Sequence, residues 1–127
     1  MAWQIEYLPE EKAARIVCTG QTKQGDAIAQ TDAAIELQSK YNVRRFLLDY
    51  SGIEIVAAPL ADIYGLPDYY HKRGVPRDIR IAVVVPAHHF QRDKFEFYED
   101  VCLNRGYSSR MFESLKEAWS WLKEESG

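Results

Sequence analysis

Acidic, hydroxyl and imidazole side chains follow two apolar runs of the sequence, and these are the residues best suited to chemistry. Asp49 and Ser51 come directly after one run, and His88 and His89 follow another. Ligands of open parallel sheets gather outside the carboxyl ends of the strands. If the two runs form neighbouring strands, a carboxylate and an imidazole meet there, which is the minimum for general acid–base catalysis. One hypothesis is therefore a small enzyme that uses Asp49 with His88 or His89.

The presence of the same residues can also be explained by structural roles. Asp49 can accept hydrogen bonds from backbone N–H groups in the turn that follows it. Adjacent histidines point in different directions on regular structure, so a metal held by the pair would need a third ligand such as His71 or Asp93. The sequence carries no phosphate-binding glycine loop, nucleophile motif or cofactor motif. We therefore predict that the protein is not an enzyme and that it holds neither a metal nor a cofactor.

An apolar and aromatic cluster around a predicted second helix forms the other candidate site. Its members share one short segment: Leu60, Ile63, Tyr64, Tyr69 and Tyr70. Clustered surface aromatics are typical of a protein interface or of a groove for an apolar ligand. A basic stretch follows, from His71 to Arg80. Two binding hypotheses result, one a surface for a protein partner and the other a site for a small amphiphilic or acyl-type ligand.

Hydrophobic periodicity predicts the elements that position these residues. Strands are predicted over residues 3–7, 15–19, 44–50, 79–85 and 110–112, and helices over residues 22–41, 60–73, 95–102 and 115–122. Gly65 and Pro67 should break or kink the second helix, because proline lacks an N–H donor and clashes with the preceding turn. Gly106 is expected just beyond the third helix. Ser114 and Glu117 form a capping box at the start of the fourth.

The predicted order is β-β-α-β-α-β-α-β-α. Alternation after the opening hairpin implies right-handed crossovers, and hence an α/β fold with a mostly parallel, mixed five-stranded sheet and four helices. The sequence has no linker, low-complexity tract or internal repeat. We expect residues 1–127 to form a single domain.

Composition excludes several classes of function. The net charge is −3, hydrophobic residues make up 46% and charged residues 28%, so a basic nucleic-acid stripe is not expected. No apolar run approaches the ~20 residues of a spanning helix, and the first residues do not resemble a signal peptide. Cys18 and Cys102 have neither CxxC nor metal-type spacing, which favours a reduced, cytoplasmic protein.

The element order and several segments resemble those of STAS domains, the fold of anti-sigma-factor antagonists. Residues 46–53 (FLLDYSGI) look like the family's third strand, a buried strand that ends in Asp, a polar step and another apolar residue. Residues 49–66 and the ending NRGY…MF…AWSWL resemble the SpoIIAA-like branch of small bacterial proteins. The resemblance covers nearly the whole chain.

One departure limits what the resemblance implies about function. Anti-sigma-factor antagonists carry a phosphorylatable serine at the start of the second helix, where this sequence has Ala57-Ala58-Pro59-Leu60. The resemblance therefore implies a STAS-like regulatory or protein-interaction module without that phosphorylation switch. It also implies that the second helix is the contact surface, with a protein partner or a second copy of the chain as its occupant.

Overall fold

Residues 3–124, which the computed structural model of the protein describes, form five strands and four helices in the predicted order. Their bounds are β1 (Trp3–Leu8), β2 (Ala13–Gln21), α1 (Asp26–Tyr41), β3 (Arg45–Ile55), α2 (Leu60–Lys72), β4 (Arg80–Val84), α3 (Arg92–Asn104), β5 (Ser108–Phe112) and α4 (Leu115–Leu122).

The five strands lie side by side in the order in which they occur in the chain. β1 and β2 pair antiparallel as a hairpin, and every other pair is parallel. Each parallel pair is joined by a helix, as parallel neighbours require a long crossover. The predicted mixed, mostly parallel sheet is confirmed.

Helices cover both faces of the sheet. On one face α1, α2 and α3 pack over the larger core, which includes Phe46, Ile81 and Val83. On the other face α4 packs over a smaller core that includes Leu47 and Ala82. Successive strand residues point to opposite faces, so neighbours on β3 serve different cores.

The third strand is longer than predicted. It continues through Asp49 and Ser51 to Ile55, because β2 is also long and pairs Gln21 with Ile55. Register shifts interrupt this pairing between Val17 and the end of β2. The sequence prediction of a strand end near residue 50 is wrong because a partner 34 positions away in the chain extends the pairing.

The predicted interruption of the second helix does not divide it. α2 runs from Leu60 to Lys72 with Pro67 inside it. Proline removes one intrahelical hydrogen bond, but burial of Ile63, Leu66 and Tyr70 on one side of the helix holds the segment in place. Tertiary packing of an apolar face supplies most of the stability of helices in proteins.

α2 and α3 end in the same way. Gly74 and Gly106 adopt left-handed φ angles of 79° and 85°, and their N–H groups donate to the His71 and Leu103 carbonyls. The next residue in each case bonds back to the last turn, which is the Schellman arrangement. Gly106 is thus placed as predicted. None of the helices in residues 3–124 combines the length and apolar character of a membrane-spanning helix.

Candidate functional site

A cavity of about 130 Å³ lies between α1, α2, α3 and the central strands. Most of its lining is apolar, with Phe46 and Leu48 from β3 and Ile81 and Val83 from β4. The three helices meet the sheet here without filling the space between them. For scale, an engineered apolar cavity of about 150 Å³ takes up benzene.

A short polar chain borders the cavity on the α1 side. The Tyr50 hydroxyl donates to Oε1 of Gln30, and Nε2 of Gln30 donates to Sγ of Cys18 at 3.7 Å. Gln30 is only 4% exposed, so both ends of its amide have partners as burial requires. Burial raises the pKa of the Tyr50 hydroxyl well above its ordinary value, which keeps this tyrosine neutral.

A tyrosine pair borders the cavity on the side of α2 and α3. The hydroxyls of Tyr70 and Tyr98 lie 2.8 Å apart in a hydrogen bond. Burial raises the pKa of both hydroxyls above the ordinary value. Burial likewise raises the pKa of the nearby Cys102 thiol to about 12, so this thiol is not a reactive nucleophile at neutral pH.

Lys94 brings a positive charge to the end of the cavity nearest the carboxyl ends of the strands. Its Nζ donates to the carbonyls of Val56 at 3.1 Å and Ala58 at 2.8 Å. Lys94 lies in the first turn of α3, and its side chain is partly exposed. It also lines the cavity.

A polar bridge joins α1 to α2 outside the cavity. Tyr69 donates its hydroxyl to Asp32, and Arg73 reaches the same carboxylate at 2.8 Å and the Tyr69 oxygen at 2.6 Å. The hydrogen bond from Tyr69, aided by Arg73, lowers the pKa of the Asp32 carboxyl. We call Asp32, Tyr69 and Arg73 the helix bridge.

Asp49 and His89 form separate sets of hydrogen bonds. Oδ1 of Asp49 accepts hydrogen bonds from the Ser51 N–H at 3.0 Å and the Ser51 hydroxyl at 2.6 Å, which confirms the local role predicted for this carboxylate. Asp49 shares its face of β3 with Leu47, on the side that α4 covers.

His89 belongs to the loop that precedes α3. Its Nδ1 accepts from the Gln91 N–H and its Nε2 donates to the Glu54 carbonyl, each at 3.0 Å. Both ring nitrogens are thus engaged with backbone groups, while His88 is exposed. In residues 3–124, no hydrogen bond joins either histidine to Asp49, and no cluster of His, Cys, Asp or Glu side chains is placed to hold a metal ion.

The candidates on α2 divide between surface and core. Leu60 and Tyr64 are 49% and 51% exposed, whereas Ile63 and Tyr70 are buried at 6% and 8%. Tyr69 is engaged in the helix bridge. The expectation that all five face a partner is therefore corrected, because the helical period of 3.6 residues turns positions 63 and 70 towards the sheet.

Gln30 and Lys94 line the cavity and were not among the sequence candidates. Gln30 interrupts the apolar side of α1 between Ala27 and Ala34, and a polar residue on an apolar stripe is a signal that could have identified it. Lys94 carries no comparable signal, because its role depends on backbone carbonyls 36 and 38 positions away.

Comparisons with known proteins locate this arrangement among known folds. No protein-family model matches the sequence, and no curated protein matches it. Among solved structures, the chain is similar to an uncharacterised DUF3478-family protein with a SpoIIAA-like fold from Shewanella loihica PV-4. The identity is 16%, the TM-score is 0.56, and the match covers 95% of this chain and 92% of that one.

It is also similar to an anti-sigma factor antagonist from Mycobacterium paratuberculosis. The identity is 13%, the TM-score is 0.63, and the match covers 96% of this chain and 95% of that one. At such identities the likeness concerns the arrangement of the backbone. The chain therefore has a SpoIIAA-like fold, as the STAS-like element order predicted.

Proposed function

We propose that the chain is a non-enzymatic, STAS-like regulatory module that acts by contact with a protein partner through the exposed side of α2. The likeness to an anti-sigma factor antagonist over most of the chain supports a regulatory role. A cytoplasmic location belongs to the same proposal, supported by two free cysteine thiols, Cys18 and Cys102.

The exposed pair Leu60 and Tyr64 is the observation that carries this proposal. The two side chains are four positions apart and hence neighbours on one side of the helix, and about half of each is exposed. The Tyr64 ring stacks on Phe97 of α3, with 6.4 Å between ring centroids. Aromatic anchors of this kind dominate binding at protein interfaces.

An ion pair between helices supports the Tyr64 ring. Nε of Arg105, the residue that follows α3, donates to Oδ1 of Asp68 at 2.9 Å, and its Nη2 donates to the Tyr64 hydroxyl at 3.2 Å. The guanidinium also lies over the Tyr64 ring, 5.4 Å from its centroid. A side chain held in this way loses less conformational entropy when a partner binds.

Residues 57–60, at the start of α2, have no side-chain hydroxyl that could be phosphorylated. Ala57, Ala58 and Pro59 precede the helix, so the proposed contact does not depend on phosphorylation at that position. The partner would instead bind the apolar pair constitutively.

The double variant Leu60→Ser/Tyr64→Ser tests this surface. We expect it to keep the fold, because both side chains are half exposed, and to lose partner capture from an extract of the source cells. Native mass spectrometry of the same samples measures self-association. Leu115→Ser is the matched control, since Leu115 is 41% exposed on α4, across the sheet. Equal capture by the double variant and the wild type would reject the α2 surface.

The cavity favours a second candidate function, the binding of a small amphiphilic or acyl-type ligand. Its lining is mainly apolar, with a few polar groups at the edges, which is the usual composition of a small-molecule site. Its 130 Å³ suits a short chain rather than a large cofactor. Comparison of native and denatured masses tests this function: a retained ligand adds mass that disappears on denaturation.

A further inference from the structure

We propose that the cavity takes an amphiphile with a short apolar chain and an anionic head group, and that Lys94 binds the head group. This inference deepens the second candidate function and rests on it. It gives the orientation of the ligand in the cavity as well as its chemical class.

The charge of the cavity lining favours an anion. Among the described residues that line the cavity, Lys94 is the only one with a formal charge at neutral pH. The other polar groups there are amides, a threonine hydroxyl and three tyrosines, and the pKa of each of those tyrosine hydroxyls is raised. No carboxylate in that lining neutralises the lysine, so an anionic head group meets an unopposed charge.

The position of Lys94 sets the direction of the chain. The lining includes Ala58 and Lys94 near the carboxyl ends of the strands, and Val75 and Ile79 near the amino ends. Between them the cavity follows β3 from Phe46 to Tyr50, a span of roughly 13 Å at the usual rise of a strand. A chain would lie along β3 with its head group at the edge of the sheet where Lys94 is partly exposed.

Lys94 has one N–H donor left over beside its present hydrogen bonds. An ammonium group has three N–H donors, and Lys94 uses two of them on the carbonyls of Val56 and Ala58. The third is free for a head group within the described contacts. Lys94 lies in the first turn of α3, where the helix dipole also favours a negatively charged head group.

The neighbouring loop does not depend on Lys94 alone. The Gln91 side chain accepts from the Val56 N–H at 2.7 Å and donates to the Val56 carbonyl at 3.0 Å. Both backbone groups of Val56 therefore keep a partner when the lysine is replaced. A variant at position 94 can test the head group without releasing the loop.

Binding of octanoate and octanamide to the wild type and to Lys94→Gln tests the assignment. The two probes share a chain and differ in head-group charge. We expect the wild type to prefer octanoate, and Lys94→Gln to lose about tenfold or more in octanoate affinity, because a charge-assisted hydrogen bond is lost. Octanamide affinity should change little. Calorimetric titration measures both, and thermal unfolding checks that the variant is folded.

Two control variants distinguish an effect on head-group binding from an effect on the cavity itself. Lys116→Gln removes an exposed charge from α4 and should leave both affinities unchanged. Ala34→Leu places a larger side chain against the cavity lining and should weaken both probes together.

Each remaining outcome has one meaning. Equal affinities of Lys94→Gln and the wild type for octanoate, with both probes weakened by Ala34→Leu, would overturn the role of Lys94 and leave ligand binding in place. Failure of both probes to bind the folded wild type would overturn the ligand function together with the head-group assignment.

Discussion

The core beneath α4 is more closely packed than the core on the other face of the sheet. Under α4, Leu47, Ala82 and Leu122 are at most 1% exposed and meet other apolar side chains. On the other face, Leu48 is only partly buried and borders a cavity. Leu47 and Leu48 are neighbours on one strand, so their difference comes from the helices above them and not from the strand.

This difference fits the proposal that the cavity face binds a ligand. One helix suffices to close a small apolar core, and the result is dense. Three helices on the other face leave space, and polar groups such as Gln30, Tyr70 and Tyr98 are buried around it. Space lined in this way is what a ligand site requires.

Substitution of Leu47 by alanine should have the largest effect. A fully buried leucine loses transfer free energy and leaves a new cavity, so we expect a decrease of about 2–5 kcal/mol in the free energy of unfolding. Leu48→Ala should cost less than half as much, because its side chain already borders open space. Urea denaturation of both variants measures the contrast, and equal losses would contradict the comparison of the two faces.

The tyrosine pair should show how the cavity face depends on paired polar groups. Tyr70→Phe leaves the Tyr98 hydroxyl without its partner, and we expect a loss of about 1–3 kcal/mol in the free energy of unfolding. The double variant Tyr70→Phe/Tyr98→Phe removes both groups and should cost less than the sum of the single variants. Strictly additive losses in a double-mutant cycle would show that the two hydroxyls are not coupled.

Ser114→Ala should decrease the free energy of unfolding moderately, because it removes the cap of α4. The Ser114 hydroxyl accepts from the Glu117 N–H at 3.2 Å, and the loss of such a cap costs about 1 kcal/mol in the free energy of unfolding. Ser120 is exposed on the same helix, so Ser120→Ala should change the stability by less than about 0.5 kcal/mol. Thermal unfolding compares the two, and similar losses would argue against a capping role.

A substitution in the helix bridge should have the smallest effect, a change in the pKa of Asp32. The hydrogen bond from Tyr69 lowers the pKa of Asp32 from its ordinary value of 3.8. Its stabilising contribution is therefore complete above that value and is lost as the pH falls through the lower, folded-state pKa. Tyr69→Phe should raise this pKa, measured by carboxyl NMR titration. An unchanged Asp32 pKa would show that Tyr69 does not hold the carboxylate.

Sequence patterns predicted the elements well because those patterns are local. Alternation identifies β1, a continuous apolar run identifies β4, and the spacing after Ser114 identifies α4. The true end of β3 at Ile55 escaped prediction because Gln21 fixes it from a distant part of the chain. Continuation of α2 through Pro67 likewise depends on packing against the sheet.

The candidate site was less predictable for the same reason. Tyr70 and Ile63 were grouped with exposed neighbours because aromatic and apolar content alone does not reveal which side of a helix meets the sheet. Lys94 became a candidate only when the carbonyls of Val56 and Ala58 were placed beside it. A cavity is a gap between elements, and no residue type encodes its volume.

The strand order has a consequence for how the chain folds. Because spatial neighbours in the sheet are also neighbours along the chain, the most distant parallel pairing, such as Arg45 with Arg80, joins residues 35 positions apart. The entropic cost of closing a loop grows only slowly with its length, but it must be met before distant contacts form. Each strand can therefore add to an edge that has just formed, and the sheet can grow in the direction of synthesis, with β5 and α4 completing it last.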